Sequence, residues 1–228
     1  VAAVLARAGL TVDLFDATPA HHGHLAAALT PVISSDDNVR SRLARHGARL
    51  AAAFWGEVAG DAAIACGAIQ LQRPEGAKRA TDLKAQVQAF AKPDWARWVA
   101  PDEASALAGL PLPRGGIWYP GGWLVRVPLL TAALQTTTNV TVIKRRVDRL
   151  VSTNAGWLAL DANGQAMGQA KVVVLANAID VLGLLARSQL EHVLAGCDRL
   201  PAMHRLAGEV TGLPAASLAG GPKCIVGG

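Results

Sequence analysis

Two periods alternate along the first part of the chain. In "VAAVLARAGLTVDLFDA" (1–17), Ala2, Leu5, Ala6 and Gly9 recur at i, i+3, i+4 and i+7, after which Val12 and Leu14 alternate with polar neighbours. The pattern predicts a helix packed on a sheet, a turn at Gly9 and a strand that stops at a carboxylate, Asp16. "HHGHLAAALTPVIS" (21–34) reads as a loop and a short apolar run ended by Pro31. "SDDNVRSRLARHGARLAAAFWGEVAG" (35–60) reads as a helix capped by Asp36 or Asp37, with Val39, Leu43, Leu50 and Phe54 in its buried stripe. Arg40, Arg42, Arg45 and Arg49 then fall mostly on the opposite face, solvated or turned toward phosphate.

Further on, "CGAIQLQRP" (66–74) alternates as a strand does, and "KRATDLKAQVQAFAK" (78–92) is helical. In "APDEASALAGLPLPRGGIWYPGGWLVRVPLLTAAL" (100–134), Asp102 or a neighbour caps a short helix, and Gly115 and Gly116 lead into a strand through Trp118 and Tyr119. Pro120, Gly121 and Gly122 turn the chain and set Trp123 beside Tyr119, two aromatics suited to form a flat wall for a ring system, although core packing is their commoner fate. Pro128 opens the next helix, where a missing N–H costs nothing. A strand follows at 140–143, then Val147 and Leu150, a hairpin across Asn154–Gly156 and a turn at Asn163 and Gly164. The run Val172–Leu175 has the look of a central parallel strand buried on both faces, ending in the small residues Ala176, Asn177 and Ala178. "CIVGG" (224–228) reads as one more buried strand.

Composition narrows the class. The chain has 228 residues, 51% of them hydrophobic, enough for a substantial core. No apolar run approaches the ~18 residues of a membrane span, and no secretory pattern precedes the first strand. Three scattered cysteines, Cys66, Cys197 and Cys224, fit neither a disulfide framework nor a zinc site. A reducing cytoplasm is the setting expected. His21, His22 and His24 lack a second cluster of ligands, so no metal is expected. A net charge of +5 suits a polyanionic partner without requiring one.

An acid at the end of a strand in a dinucleotide-binding unit accepts hydrogen bonds from a ribose, while a glycine loop at the start of the preceding helix cradles the pyrophosphate. Asp16 supplies that acid; counting back along the helix puts the expected glycine loop ahead of Val1.

The order of "A..LA..G..V.LFDA", "DDNVRSRL", "CGAIQLQ", "DEASALAGLPLPRGGIWYPGGWL", "PLLTAAL", "VVVLANA" and "DRLP" resembles the C-terminal oxidase domain of the bifunctional tRNA 5-methylaminomethyl-2-thiouridine biosynthesis proteins, within the FAD-dependent D-amino-acid and glycine oxidase superfamily. The resemblance runs from residue 1 to about 183 and resumes at about 197. It implies an α/β fold: a Rossmann-like FAD-binding domain with a discontinuous antiparallel-sheet substrate domain, here incomplete. Residues 1–65, 126–183 and 197–228 would be its three FAD-binding parts, the last truncated; 66–125 would be the substrate domain and 184–196 a remnant of it. Ala178 stands where the family usually has glycine, which asks only for a negative φ.

The resemblance implies FAD held at Asp16, Ala17, Leu29, Thr30, Val147, Ala176, Asn177, Gly227 and Gly228. Tyr119, Trp123, Arg126 and Arg205 would face substrate, with Arg114 a further candidate by location for its carboxylate; no residue is assigned a catalytic proton. The implied reaction oxidises the carboxymethylaminomethyl group of a wobble uridine in the tRNA anticodon loop, releasing glyoxylate. A fused or separate methyltransferase domain is the implied partner. Two rivals remain: a glycine or sarcosine oxidase acting on a free amine, and a flavin-free RNA-docking or scaffold domain.

Overall fold

The computed structural model describes residues 1–17, 25–74, 82–196 and 221–227. In chain order the elements are α1 (Ala2–Arg7), β1 (Val12–Phe15), β2 (Ala27–Leu29), α2 (Val39–Val58), β3 (Ala63–Ala65), β4 (Ala68–Leu71), α3 (Leu83–Phe90), β5 (Arg97–Val99), α4 (Pro101–Ala108), β6 (Gly116–Tyr119), β7 (Trp123–Val125), α5 (Val127–Gln135), β8 (Val140–Ile143), β9 (Arg149–Thr153), β10 (Gly156–Leu160), β11 (Ala166–Ala170), α6 (Asp180–Arg187) and β12 (Ile225–Gly227). They fall into two compact units, the described residues of Val1–His22 with Leu134–Glu209, and those of Gly23–Ala133 with Val210–Gly228.

In the first unit the predicted helix and strand form on either side of the Gly9 turn, and β1 pairs in parallel with β8 from Val12↔Val140 to Phe15↔Ile143. The ladder extends past both ends, with Val12 N–H donating to Asn139 O and Asp16 N–H to Ile143 O. The later strands form a three-stranded antiparallel sheet, β11-β10-β9, joined by the two predicted turns. In the second of these, Asp161 accepts the N–H groups of Asn163 and Gln165, an Asx turn that closes β10 onto β11. Helix α6 lies against β9: the Ser188 hydroxyl accepts the Leu150 N–H at 2.9 Å, and Leu150, Ala159 and Leu184 form a core flanked by Phe15, Val147, Trp157, Val173 and Leu190.

One expectation fails here. Val172–Leu175 forms no strand, and Val172 is 74% exposed. Only Val173 of the four packs against the core cluster. A run of β-branched residues favours extended backbone, but a strand also needs a neighbour to exchange hydrogen bonds with, and none pairs with this run among the described residues. Downstream, Ala178 adopts φ +48°, contrary to the negative φ expected of it.

The second unit carries two sheets, β12-β4-β6-β5 and β2-β7-β3. The chain crosses between them twice at one level, from β3 to β4 through Cys66 and Gly67, and from β6 to β7 through Pro120–Gly122. Gly122 O accepts both the Cys66 and the Gly67 N–H, at 3.2 and 2.9 Å. The approach is closed to side chains: a Cβ on Gly122 would sit 2.7 Å from Ala68 N, and one on Gly67 2.0 Å from Trp118 Cη2. Two glycines therefore make the corner where both strand pairs change sheets. Strand β12 pairs in parallel with β4 at the edge of its sheet, and Gly227 is exposed, so the expected buried strand is an edge strand.

Helix α2 departs from its predicted register. Its cap is Asn38, whose side chain accepts the Ser41 N–H at 3.0 Å, in place of Asp36 or Asp37. Its buried residues are Ser41 and Arg45, while Val39, Leu43 and Leu50 are exposed, the last two at 67% and 73%, and Phe54 is half-buried. Arg45 is compensated by polar partners and ring faces that no periodicity reveals: the Val32 carbonyl, the Asp37 carboxylate and the rings of Phe90 and Trp95. Helix α3 is capped by Asp82, whose carboxylate accepts the Ala85 N–H. Helix α4 begins with Pro101 at its first turn and has no side-chain cap; Asp102 sits inside that turn, complementing the helix dipole.

Candidate functional site

In the first unit the site is built at the carboxyl end of the parallel pair β1–β8. The half-buried Asp16 closes β1 with its main chain bound to Ile143, and Gln135 Nε2 approaches its carboxylate at 3.5 Å. At that length the bond is weak, so the carboxylate keeps acceptor capacity, which is what a ribose needs. Ala17 follows, exposed. On the adjoining strand a tight turn, Arg145 N–H to Ile143 O at 2.8 Å, redirects the chain toward Val147, which is anchored in the core of the unit. Ala176 and Asn177 are exposed on the irregular segment after Leu175; the Asn177 carbonyl accepts the Asp180 N–H at the start of α6.

In the second unit β7 runs between β2 and β3 and places Trp123 in register with Leu29 on one side and Ala65 on the other. A residue expected at the cofactor and one expected at the substrate are thus neighbours in one sheet, both half-buried, with Thr30 next along the chain. Arg126 leaves the end of β7, its main chain tied to Ala62 O at 2.8 Å and its side chain exposed. Arg114 is half-buried, and its Nε–H is enclosed without a hydrogen-bond partner.

Tyr119 does not line a wall beside Trp123. It is 5% exposed, its ring belongs to the core with Ile33, Leu83, Val87 and Ile117, and its hydroxyl donates to Gln70 Oε1 at 2.9 Å. Burial pushes its pKa up to about 12. The glycine turn that follows carries the chain out of the sheet, which separates the two aromatics onto different sheets. Arg205 and Gly228 lie outside the described residues, as do His21, His22 and His24. Gln135 beside Asp16 and the buried Arg45 were not anticipated; neither belongs to a motif, and only long-range packing reveals them.

The sequence profile of the FAD dependent oxidoreductases matches residues 1–217. The chain belongs to that family, DAO. Members of the family use FAD as cofactor, and the spare acceptor capacity of Asp16 at the end of a parallel strand fits the ribose of its adenosine half. The chain is 33% identical over 240 residues to the tRNA 5-methylaminomethyl-2-thiouridine biosynthesis bifunctional protein MnmC of Cupriavidus necator, covering 98% of this chain and 34% of that protein. It is 34% identical over 244 residues to MnmC of Ralstonia nicotianae, covering 100% of this chain and 35% of that protein. It therefore spans about a third of the length of these relatives. Among solved DAO-type structures, iminodiacetate oxidase from Chelativorans sp. BNC1 superposes with a TM-score of 0.62 at 22% identity, covering 82% of this chain and 54% of that one, a likeness of fold. No described helix is long and apolar enough to cross a membrane.

Proposed function

We propose that this chain is part of an FAD-dependent oxidoreductase that removes the carboxymethyl group from 5-carboxymethylaminomethyl(-2-thio)uridine at the tRNA wobble position. The observation that carries the reading is identity of about a third, over essentially the whole chain, to relatives named for tRNA biosynthesis. Asp16 would accept hydrogen bonds from the adenosine ribose, with Ala17, Val147, Ala176, Asn177 and Gly227 along the cofactor and Leu29 and Thr30 beside it. When bound, FAD would supply the two-electron oxidation as hydride acceptor for the carboxymethyl CH2, the carbon between the amine and the carboxylate, and hydrolysis of the C=N bond so formed would release glyoxylate and the aminomethyl nucleoside.

The protein's own part is to orient the uridine and exclude competing reactions. Trp123, half-buried and rigid between two strands, offers a face on which a splayed base stacks. Of the arginines, Arg114 has an enclosed and unused Nε–H suited to a carboxylate, and Arg126 an exposed guanidinium suited to a phosphate. The three-part map of the FAD-binding domain, a cytoplasmic location and a fused or separate methyltransferase domain belong to the same proposal.

The test uses the full-length protein and tRNA carrying the carboxymethylaminomethyl group, with glyoxylate as readout. Turnover on tRNA should fall by about one logarithmic unit per decade of salt for each phosphate neutralised. Glycine and sarcosine at equal concentration should be nearly inert. Oxidation of glycine as efficient as that of tRNA and indifferent to salt overturns the assignment in favour of a small-amine oxidase; a purified protein without flavin absorbance would favour the scaffold reading.

A further inference from the structure

Four side chains from and beside two helices converge on one stretch of loop, residues 32–38, which carries the chain from β2 to α2. From α2, Arg45 donates through Nη1 to Val32 O at 3.1 Å and through Nη2 to the Asp37 carboxylate, and Ser41 donates to the Ser34 hydroxyl at 2.8 Å. From α3, Gln86 Nε2 donates to Ile33 O at 3.2 Å, and Lys92, just past its end, takes the second oxygen of Asp37. Arg45 is itself caged: it is 5% exposed, with its guanidinium 4.9 Å from the Phe90 ring centre and 5.5 Å from that of Trp95. On the outer side Arg49 stacks on Trp95 at 3.9 Å. Asp37, the residue gripped from both sides, sits at φ +43°.

Burying an arginine and holding an aspartate in the left-handed region are both unfavourable by themselves. Replacing a buried ion pair with apolar side chains often leaves stability unchanged or raises it, so stability alone is a weak reason for this arrangement. What a planar fork supplies is geometry: two donors at a fixed angle bind a carbonyl and a carboxylate of the same loop and leave it one conformation. Strained residues that the surroundings over-determine cluster at functional sites. The loop begins one residue after the buried Pro31, directly beyond Leu29 and Thr30, and Leu29 is the register partner of Trp123.

We propose that Arg45 is a positioning residue for the flavin: by clamping residues 32–38 it holds Leu29 and Thr30 against the cofactor beside Trp123. The proposal rests on the reading above that Leu29 and Thr30 line the FAD site. Arg45 touches neither cofactor nor substrate and acts through the main chain of the loop.

The experiment compares full-length wild type with Arg45→Met, Arg45→Lys and Asp37→Asn. The control is Ser105→Ala, which removes the Ser105 bonds to the Leu112 N–H and the Pro101 carbonyl, in the same unit but with no bond to residues 32–38. FAD affinity of the apoprotein, the visible circular dichroism of bound flavin and the thermal midpoint are read for each. Arg45→Met should weaken FAD affinity at least tenfold and alter the flavin dichroism, with Arg45→Lys, which keeps the charge but loses the fork, in between. Ser105→Ala should lower the midpoint and leave both flavin readouts at wild-type values. Should Arg45→Met fail to fold, Arg45→Lys and Asp37→Asn decide on the same readouts. Wild-type affinity and dichroism in the clamp variants, or equal losses in Ser105→Ala, overturn the positioning role while the cofactor reading stands. A wild-type protein that holds no FAD overturns the cofactor reading first and this proposal with it.

Discussion

Gly121 and Gly122 are adjacent in the turn before Trp123, yet alanine should be harmless at one and damaging at the other. A Cβ on Gly121 meets nothing within 4 Å. On Gly122 it meets Ala68 N and Gly67 C at 2.7 Å and Ala68 Cβ at 2.8 Å, two of them main-chain atoms that no rotamer change can move. Ordinary contact begins at 3.4 Å, so the two crossing segments must separate by 3.4 − 2.7 = 0.7 Å. The same two segments are joined by the hydrogen bonds from Cys66 and Gly67 N–H to Gly122 O, which a separation would strain. Overpacking costs about 1–3 kcal/mol, and each weakened hydrogen bond about 0.5–1.5 kcal/mol more. A loss of about 3 kcal/mol is expected for Gly122→Ala, which at roughly 2–4 °C per kcal/mol in a chain of this size lowers the thermal midpoint by about 6–12 °C. Gly121→Ala should stay within about 1 kcal/mol of wild type on either side, since its φ is not positive and the loss of unfolded-state freedom favours folding. Paired urea titrations of the two variants read the difference, and midpoints that agree within error would refute the account of the sheet-crossing corner.

Asp16→Ala in the full-length protein should weaken FAD retention by about 1.5–3 kcal/mol with far-ultraviolet circular dichroism unchanged; full flavin content after prolonged dialysis refutes its ribose role. Ala178→Gly should stabilise the fold slightly, by about 0.5–1 kcal/mol, and so raise the thermal midpoint, because φ +48° strains alanine by more than glycine loses in unfolded freedom; a lower midpoint would mean that the strain is not there. Tyr119 has a folded pKa pushed from 10.0 to about 12 by burial, so its stabilising contribution is intact below pH 10 and is lost as pH rises through about 12. Tyr119→Phe should therefore flatten the alkaline limb of the stability curve between those values; an unchanged limb in a pH series of denaturant titrations counts against it.

Elements whose signal is local were legible without a structure. The helix and strand flanking Gly9, the hairpin at Asn154–Gly156, the Pro128 helix start and the Gly115–Gly116 entry to β6 all appear where backbone chemistry puts them. Asp16 was legible for the same reason: an acid ending an alternating strand is a statement about four or five consecutive residues. Which face of α2 is buried was not legible, since Leu43 and Leu50 have the right period and lose to Arg45. A guanidinium enters a core only where a carbonyl, a carboxylate and ring faces converge on it, and those come from residues 32, 37, 90 and 95.

The same division runs through the candidate site. By itself the sequence determined the family, the acid at the end of β1 and the aromatic and glycine block around Trp123, because each is written in residue type and short spacing. Tertiary structure alone decided that Leu29 and Trp123 are partners, that Tyr119 is buried in the core while Trp123 is half-buried, and that Val172–Leu175 pairs with no strand among the described residues. Strand register, burial and ion pairing are energies between groups distant in sequence. The chain specifies them only through the whole set of contacts it folds into.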